Sequence, residues 1–207
     1  MTTKEMKSRG RPRGFDLDNA IAIATDLFHR RGYDGVGIAE LSKAIGITAP
    51  SLYSAFGNKR SLFEQVLQRY VRSNSGWLLN ALAMESALES VVEKLFVDAA
   101  KTYSSDPERL GCLALDGARN CCGEAQNLTA KCRQKTRKLI CDRIATGAPE
   151  LSQSAAAALS DYAITILVGL SASARDGMKT QSLKGVAEVA AIGFSQKLQQ
   201  YREKTVS

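Results

Sequence analysis

Apolar positions recur at steps of three and four along most of the chain, and no period-two run with hairpin turn chemistry interrupts them. The pattern predicts an all-α protein of about nine helices. Ile21, Ala24, Leu27 and Phe28 form one stripe of a first helix. Asp16 is placed to cap its free amides, and Arg31-Gly32 closes it. Ile38, Leu41 and Ile45 share one face of a short second helix that stops at Gly46. A third short helix starts at Thr48, a capping residue, with Pro50 in the first turn, where a missing N–H costs little. Helix, tight glycine turn, helix is the signature of a helix-turn-helix. Asn58 then caps a longer helix, about 59–73, bearing Leu62, Phe63, Val66, Leu67 and Tyr70. The weak formers Ser73-Asn74-Ser75-Gly76 mark a boundary or kink. Beyond them the pattern predicts helices over 77–103, 110–122, 124–145, 152–175 and 181–202.

Charge changes this picture more than size does. The 207 residues carry 28 Lys+Arg against 21 Asp+Glu, a net +7. The surplus is N-terminal: residues 1–75 hold 12 basic and 7 acidic side chains, and Lys4, Lys7, Arg9, Arg11 and Arg13 face only Glu5 within residues 1–14. Such an excess points to nucleic acid or an anionic surface. No basic helix with a broad apolar face accompanies it, so a membrane partner is not expected. The apolar stretch around Ala163–Leu170 is broken by Thr165 and reads as too short to span a bilayer. No signal peptide is visible, and a cytoplasmic location is expected. The single histidine, His29, excludes a two-His zinc site or a multi-His cage and reads as a surface or boundary residue of the first helix. No nucleophile–base–acid set, phosphate loop or cofactor motif appears, so an enzyme is not expected, and no metal or cofactor is assigned.

The third helix carries the candidate chemistry. Leu52 and Phe56 face inward, while Thr48, Ala49, Ser51, Tyr53 and Ser54 make a slim, hydrogen-bonding outer face suited to the major groove. Lys59 stands just beyond it. The run from Gly46 through Leu52-Tyr53-Ser54-Ala55-Phe56 to Lys59 and Leu62-Phe63, with Ala24, Leu27-Phe28 and Gly32-Tyr33 upstream, resembles the tetracycline-repressor (TetR/AcrR) family over about residues 15–65. The resemblance implies a homodimeric repressor of a palindromic operator, with C-terminal helices forming a ligand pocket and a four-helix dimer interface. By position it makes Thr48, Ser51, Tyr53 and Lys59 phosphate or groove contacts, and puts Ala49 and Pro50 near the bases. Three positions depart from the family pattern. Ala55 stands in place of a histidine, Gly37 in place of a capping Thr or Ser, and Arg60, in place of an acidic residue, adds positive charge near the DNA. Arg9, Arg11 and Arg13, on an arm without core-forming residues, are suited to a narrow minor groove. The plainer reading of the arm is a solubilising tail.

The organisation expected is a flexible basic arm (1–14), a helix-turn-helix DNA-binding domain (15–60), a connecting helix (about 59–73) and a C-terminal ligand-binding and dimerisation bundle (77–207). Tyr162, Ile166, Leu170, Val189 and Ile192, on two small-residue-rich final helices, are the expected dimer interface, with intrachain core as the alternative. Cys112, Cys121, Cys122, Cys132 and Cys141 crowd into one window. They read as small buried hydrophobes, as redox or electrophile sensors, or as soft-metal ligands. A gap of nine residues puts Cys132 and Cys141 on opposite helix faces. The segments Gly111-Cys112-Leu113 and Gly169–Gly177 also resemble a subgroup of the family that answers to copper or reactive electrophiles. The function expected is an effector-released repressor with an unknown small-molecule effector. The alternative is a dimeric DNA-binding protein without a ligand.

Overall fold

A computed structural model describes residues 16–118 and 123–206. Among these there is no strand, and ten helices follow one another: α1 (Leu17–Arg31), α2 (Ile38–Ile45), α3 (Ala49–Phe56), α4 (Lys59–Asn74), α5 (Gly76–Leu82), α6 (Leu88–Tyr103), α7 (Leu113–Asp116), α8 (Glu124–Gly147), α9 (Gln153–Arg175) and α10 (Thr180–Val206).

The N-terminal helices start where their caps allow. Asp16 Oδ1 accepts from the Asp18 amide at 2.9 Å. Thr48 Oγ1 accepts from Ser51 at 3.4 Å, and Asn58 Oδ1 from Ser61 at 2.8 Å. Each satisfies one orphan donor of the first turn. Gly37 gives α2 no side-chain cap, and Gly46 closes it in the left-handed region (φ 79). Phe28, Leu41, Leu52, Leu62 and Phe63 then meet in a fully buried cluster. Phe63 sits edge-on to Phe28, with ring centroids 5.1 Å apart.

In the C-terminal bundle α6 is the buried centre, with Val91, Val92, Leu95, Phe96, Ala99 and Ala100 inward. α10, α9 and α5 pack around it, and α8 closes the bundle against α9. Ser160, Ala163, Ser171, Ala187 and Ala191 are buried and let the axes of the last two helices approach. By length and composition α9 could cross a bilayer, which corrects the expectation of too short an apolar stretch. Here it is a bundle helix with Ala163, Leu167, Leu170 and Ala174 buried.

Three further expectations are corrected. The helix expected over 77–103 is two. Arg143 of α8 donates to the carbonyls of Leu82 (3.0 Å), Met84 (3.1 Å) and Ser86 (3.2 Å), so a side chain from elsewhere takes the oxygens the next turn would have used. The helix expected over 110–122 shrinks to the single turn α7. Gly111 adopts φ 76, and a Cβ there would lie 2.8 Å from the Arg175 side chain and the Ser171 carbonyl. Leu170, expected at a dimer interface, is 2% exposed and belongs to the intrachain core, because it faces the bundle interior.

Candidate functional site

α3 lies on the outside of the N-terminal helices. Leu52 and Phe56 anchor it, leaving Thr48, Pro50, Ser51, Tyr53 and Ser54 exposed and Ala49 half-buried. Thr48 and Ser51 also share a hydroxyl–hydroxyl hydrogen bond of 2.9 Å, which fixes the start of the helix. Tyr53 is 47% exposed, the largest side chain standing off this face. Such a helix fits a groove about 12 Å wide and offers hydroxyls and first-turn amides to phosphates and base edges. Lys59 is half-buried, its Nζ 4.1 Å above the Tyr33 ring, so its charge is held in place at the junction of α3 and α4. Arg60 does not add charge to this face as expected: its guanidinium lies 3.1 Å from Glu124 at the start of α8, which draws it towards the bundle. Arg9, Arg11 and Arg13 lie outside the described residues.

The two halves meet at a polar junction that the sequence did not predict. His29 is 8% exposed, not a surface residue; its Nε2 lies 3.2 Å from the Gly111 carbonyl and its ring is edge-on to Tyr70. Burial lowers its pKa from the ordinary 6.5 to about 4, helped by the positive charges of Arg175 and Arg109 and opposed by the Gly111 carbonyl and Asp106. The imidazole is therefore neutral at pH 7. Arg175, at the end of α9, donates from Nε to Asp116 Oδ1 and from Nη1 to the His29 carbonyl, both at 2.8 Å. The Asp116 side chain is 1% exposed. The Tyr33 amide donates to Gly117 at 2.8 Å, and the Cys112 amide to Ser171 Oγ at 2.7 Å. The two C-terminal segments singled out in the sequence thus pack on each other and hold α1.

A cavity of about 660 Å³ opens between α4, α5, α7 and α8. Tyr70, Tyr103 and Cys112 line it together. Burial raises both phenols and pushes the Cys112 thiol up to about 11, so all three stay protonated at pH 7. Cys132 lines the same cavity, and Cys141 does not, in keeping with their opposed faces. Burial raises the Cys132 pKa, with Lys135 and Arg133 opposing. Cys112, Cys132 and Cys141 are free thiols; Cys121 and Cys122 lie outside the described residues. Among the described residues, no three of His, Cys, Asp and Glu gather as a metal site. Lys131, Lys135 and the two tyrosines were not expected in a site. The signal for them was a mixed polar stripe, Leu128, Lys131, Cys132, Lys135, Leu139, at helical spacing on α8.

On the opposite side of the bundle, Val186, Val189 and Ile192 form an exposed apolar stripe on α10, at 46%, 70% and 59% exposure. Tyr162 of α9 lies beside it, its hydroxyl donating to the Ala190 carbonyl at 3.0 Å, and Ile166 is half-buried one turn on.

Comparison with known proteins bears on this arrangement. Residues 20–66 match the family described as bacterial regulatory proteins, tetR family. The chain is similar, at 33% identity over 190 residues, to the HTH-type transcriptional repressor BdcR of Escherichia coli (strain K12), covering 92% of this chain and 94% of that one. It is similar at 31% identity to the repressor ComR of the same organism, over 87% and 90% of the two chains. Among solved structures, a cysteine mutant of the TetR family transcriptional regulator CifR, complexed with 26-bp double-strand operator DNA, superposes with a TM-score of 0.78 at 30% identity. It covers 88% of this chain and 98% of that chain.

Proposed function

Because the chain belongs to the TetR family of bacterial transcription regulators, we propose that it is a repressor that binds a palindromic operator as a homodimer and lets go when an effector fills the cavity. Its relatives are DNA-binding regulators and not enzymes. In this reading Thr48, Ala49, Pro50, Ser51 and Tyr53 meet the major groove, Lys59 a backbone phosphate, and Arg9, Arg11 and Arg13 the minor groove. Tyr162, Ile166, Val189 and Ile192 join two chains across a two-fold axis. The protein works in the cytoplasm.

The observation that carries the reading is the reach of α4. It begins at Lys59, against α3, and its last two turns present Leu67, Tyr70, Val71 and Asn74 to the cavity. An effector that binds better when α4 stands away from α8 changes the spacing of the two α3 helices, and the operator favours one spacing. The protonated Cys112 serves as a wall of the cavity. A bundle used only for dimerisation has no need of a cavity this large, which counts against the ligand-free alternative.

Selection of operator sites from random duplexes with the full chain tests this. The expected outcome is an inverted repeat with half-sites about one helical turn, roughly 10 bp, or a multiple of it apart. Sedimentation should give an even number of chains per duplex. An asymmetric site, or one chain per duplex, overturns the dimeric reading.

A further inference from the structure

The cavity is graded in polarity, and the grading restricts what can occupy it. At the inner end Tyr70, Tyr103 and Cys112 lie together, and Asp116, a buried carboxylate, raises the pKa of both Cys112 and Tyr103. That end therefore disfavours an anionic group and is otherwise walled by Trp77, Leu115 and Leu167. The rim is different. On α8, none of residues 130–139 is buried, although the helix has fully covered residues on both sides, such as Leu128, Thr129, Ile140 and Ile144. In those turns α8 faces the cavity and carries Lys131 and Lys135 one turn apart. Arg72 of α4 adds a third cation, and Glu64 is the one acid in the lining. Neither lysine nor Arg72 makes an ion pair among the described residues.

Resting on the reading of the cavity as an effector site, we propose that the effector is an amphipathic organic anion: an apolar body of about ten carbons held between Trp77 and Leu115, and one acidic head at Lys131 and Lys135. A cavity of this size lies in the usual range for ligand sites of a few hundred to about 1,000 Å³. Cations are repelled at the rim, and a neutral molecule of the same shape leaves both ammonium groups unused.

Trp77 is the only tryptophan in the chain and lines the cavity, so its emission reports occupancy directly. The test titrates the full-length protein with decanoate, 1-decanol and decyltrimethylammonium, all below their aggregation thresholds. Decanoate is expected to change the emission at the lowest concentration and the cation at the highest. The Lys131→Gln/Lys135→Gln variant, altered only at exposed positions, should bind decanoate about tenfold more weakly, the scale of two exposed ion pairs, and leave decanol within about twofold. If decanol or the cation binds best, or if the double variant keeps its decanoate affinity, the anion assignment is wrong, and the effector cavity stands. If none of the three moves the Trp77 emission, the effector cavity and the anion assignment both fall.

Discussion

The N-terminal helices and the C-terminal bundle are built from the same element by opposite rules. Around Phe28 and Phe63 the space is filled: α1, α2, α3 and α4 close on a centre where Leu41, Leu52 and Leu62 are also fully covered. The bundle is longer in chain, yet it leaves about 660 Å³ open and has no buried side chain over residues 130–139 of α8. A surface that reads DNA must hold hydroxyls in fixed register, and close packing supplies that rigidity. On the proposed reading the bundle needs two arrangements near in energy, and the unfilled space between α4 and α8 leaves room for both. The junction of His29, Asp116 and Arg175 lies between the two, and α4 belongs to both.

The sharpest way to break this contrast is to truncate one large apolar side chain on each side. Phe63→Ala is expected to cost about 3–5 kcal/mol, since its site is solid and cannot collapse. Leu139→Ala, at a half-open cavity wall where the leucine is 42% exposed, should cost under about 1 kcal/mol. Urea unfolding of the two variants measures both; comparable losses would mean the cavity is as tightly packed as the N-terminal core.

The junction comes next. Arg175→Met leaves the Asp116 carboxylate without its guanidinium and the His29 carbonyl without its donor, and should cost about 3 kcal/mol. The double variant Arg175→Met/Asp116→Asn should recover part of this, because no full charge is then buried. A loss no smaller in the double variant would show that Arg175 acts by packing alone.

His29 gives the junction a pH dependence of known sign. Its folded pKa, about 4, lies below the ordinary 6.5, so between those values the unfolded chain binds the proton and the folded one does not. Stability is whole above about pH 6.5 and falls as the pH drops towards 4. The difference between 6.5 and 4 sets the loss at about 3 kcal/mol at most. His29→Gln should flatten that part of the stability–pH curve. An unchanged curve would place the acid sensitivity in the carboxylates.

The same contrast explains what could be read from the chain alone. Caps at Asp16, Thr48 and Asn58, the stop at Gly46 and the inward pair Leu52 and Phe56 are local signals, and the N-terminal helices obey them. Arg143 split one expected helix by reaching 61 residues back to Leu82, and Gly111 shortened another by lying under Arg175. Both depend on partners far along the chain, which periodicity does not encode. His29 was misjudged for the same reason: the Gly111 carbonyl that it faces is 82 residues away. Lys131 and Lys135 look like an ordinary solvated face until α4 is placed opposite them.

The smallest effect bears most directly on the outer face of α3. Tyr53 is exposed and its hydroxyl has no partner among the described residues, so Tyr53→Phe should leave stability within about 0.5 kcal/mol of the parent. If the hydroxyl meets a phosphate, operator affinity should fall by about 1 kcal/mol, roughly fivefold. No charge is lost, so the dependence of affinity on salt should keep its slope. Removal of residues 1–13 should differ in lowering that slope, because binding without the arm's cations releases fewer counterions from the DNA. Fluorescence anisotropy at several salt concentrations separates the two. A Tyr53→Phe variant that lost stability and kept its affinity would make the outer face of α3 part of the packing, and the division between a filled N-terminal core with a free outer face and an open bundle would no longer hold there.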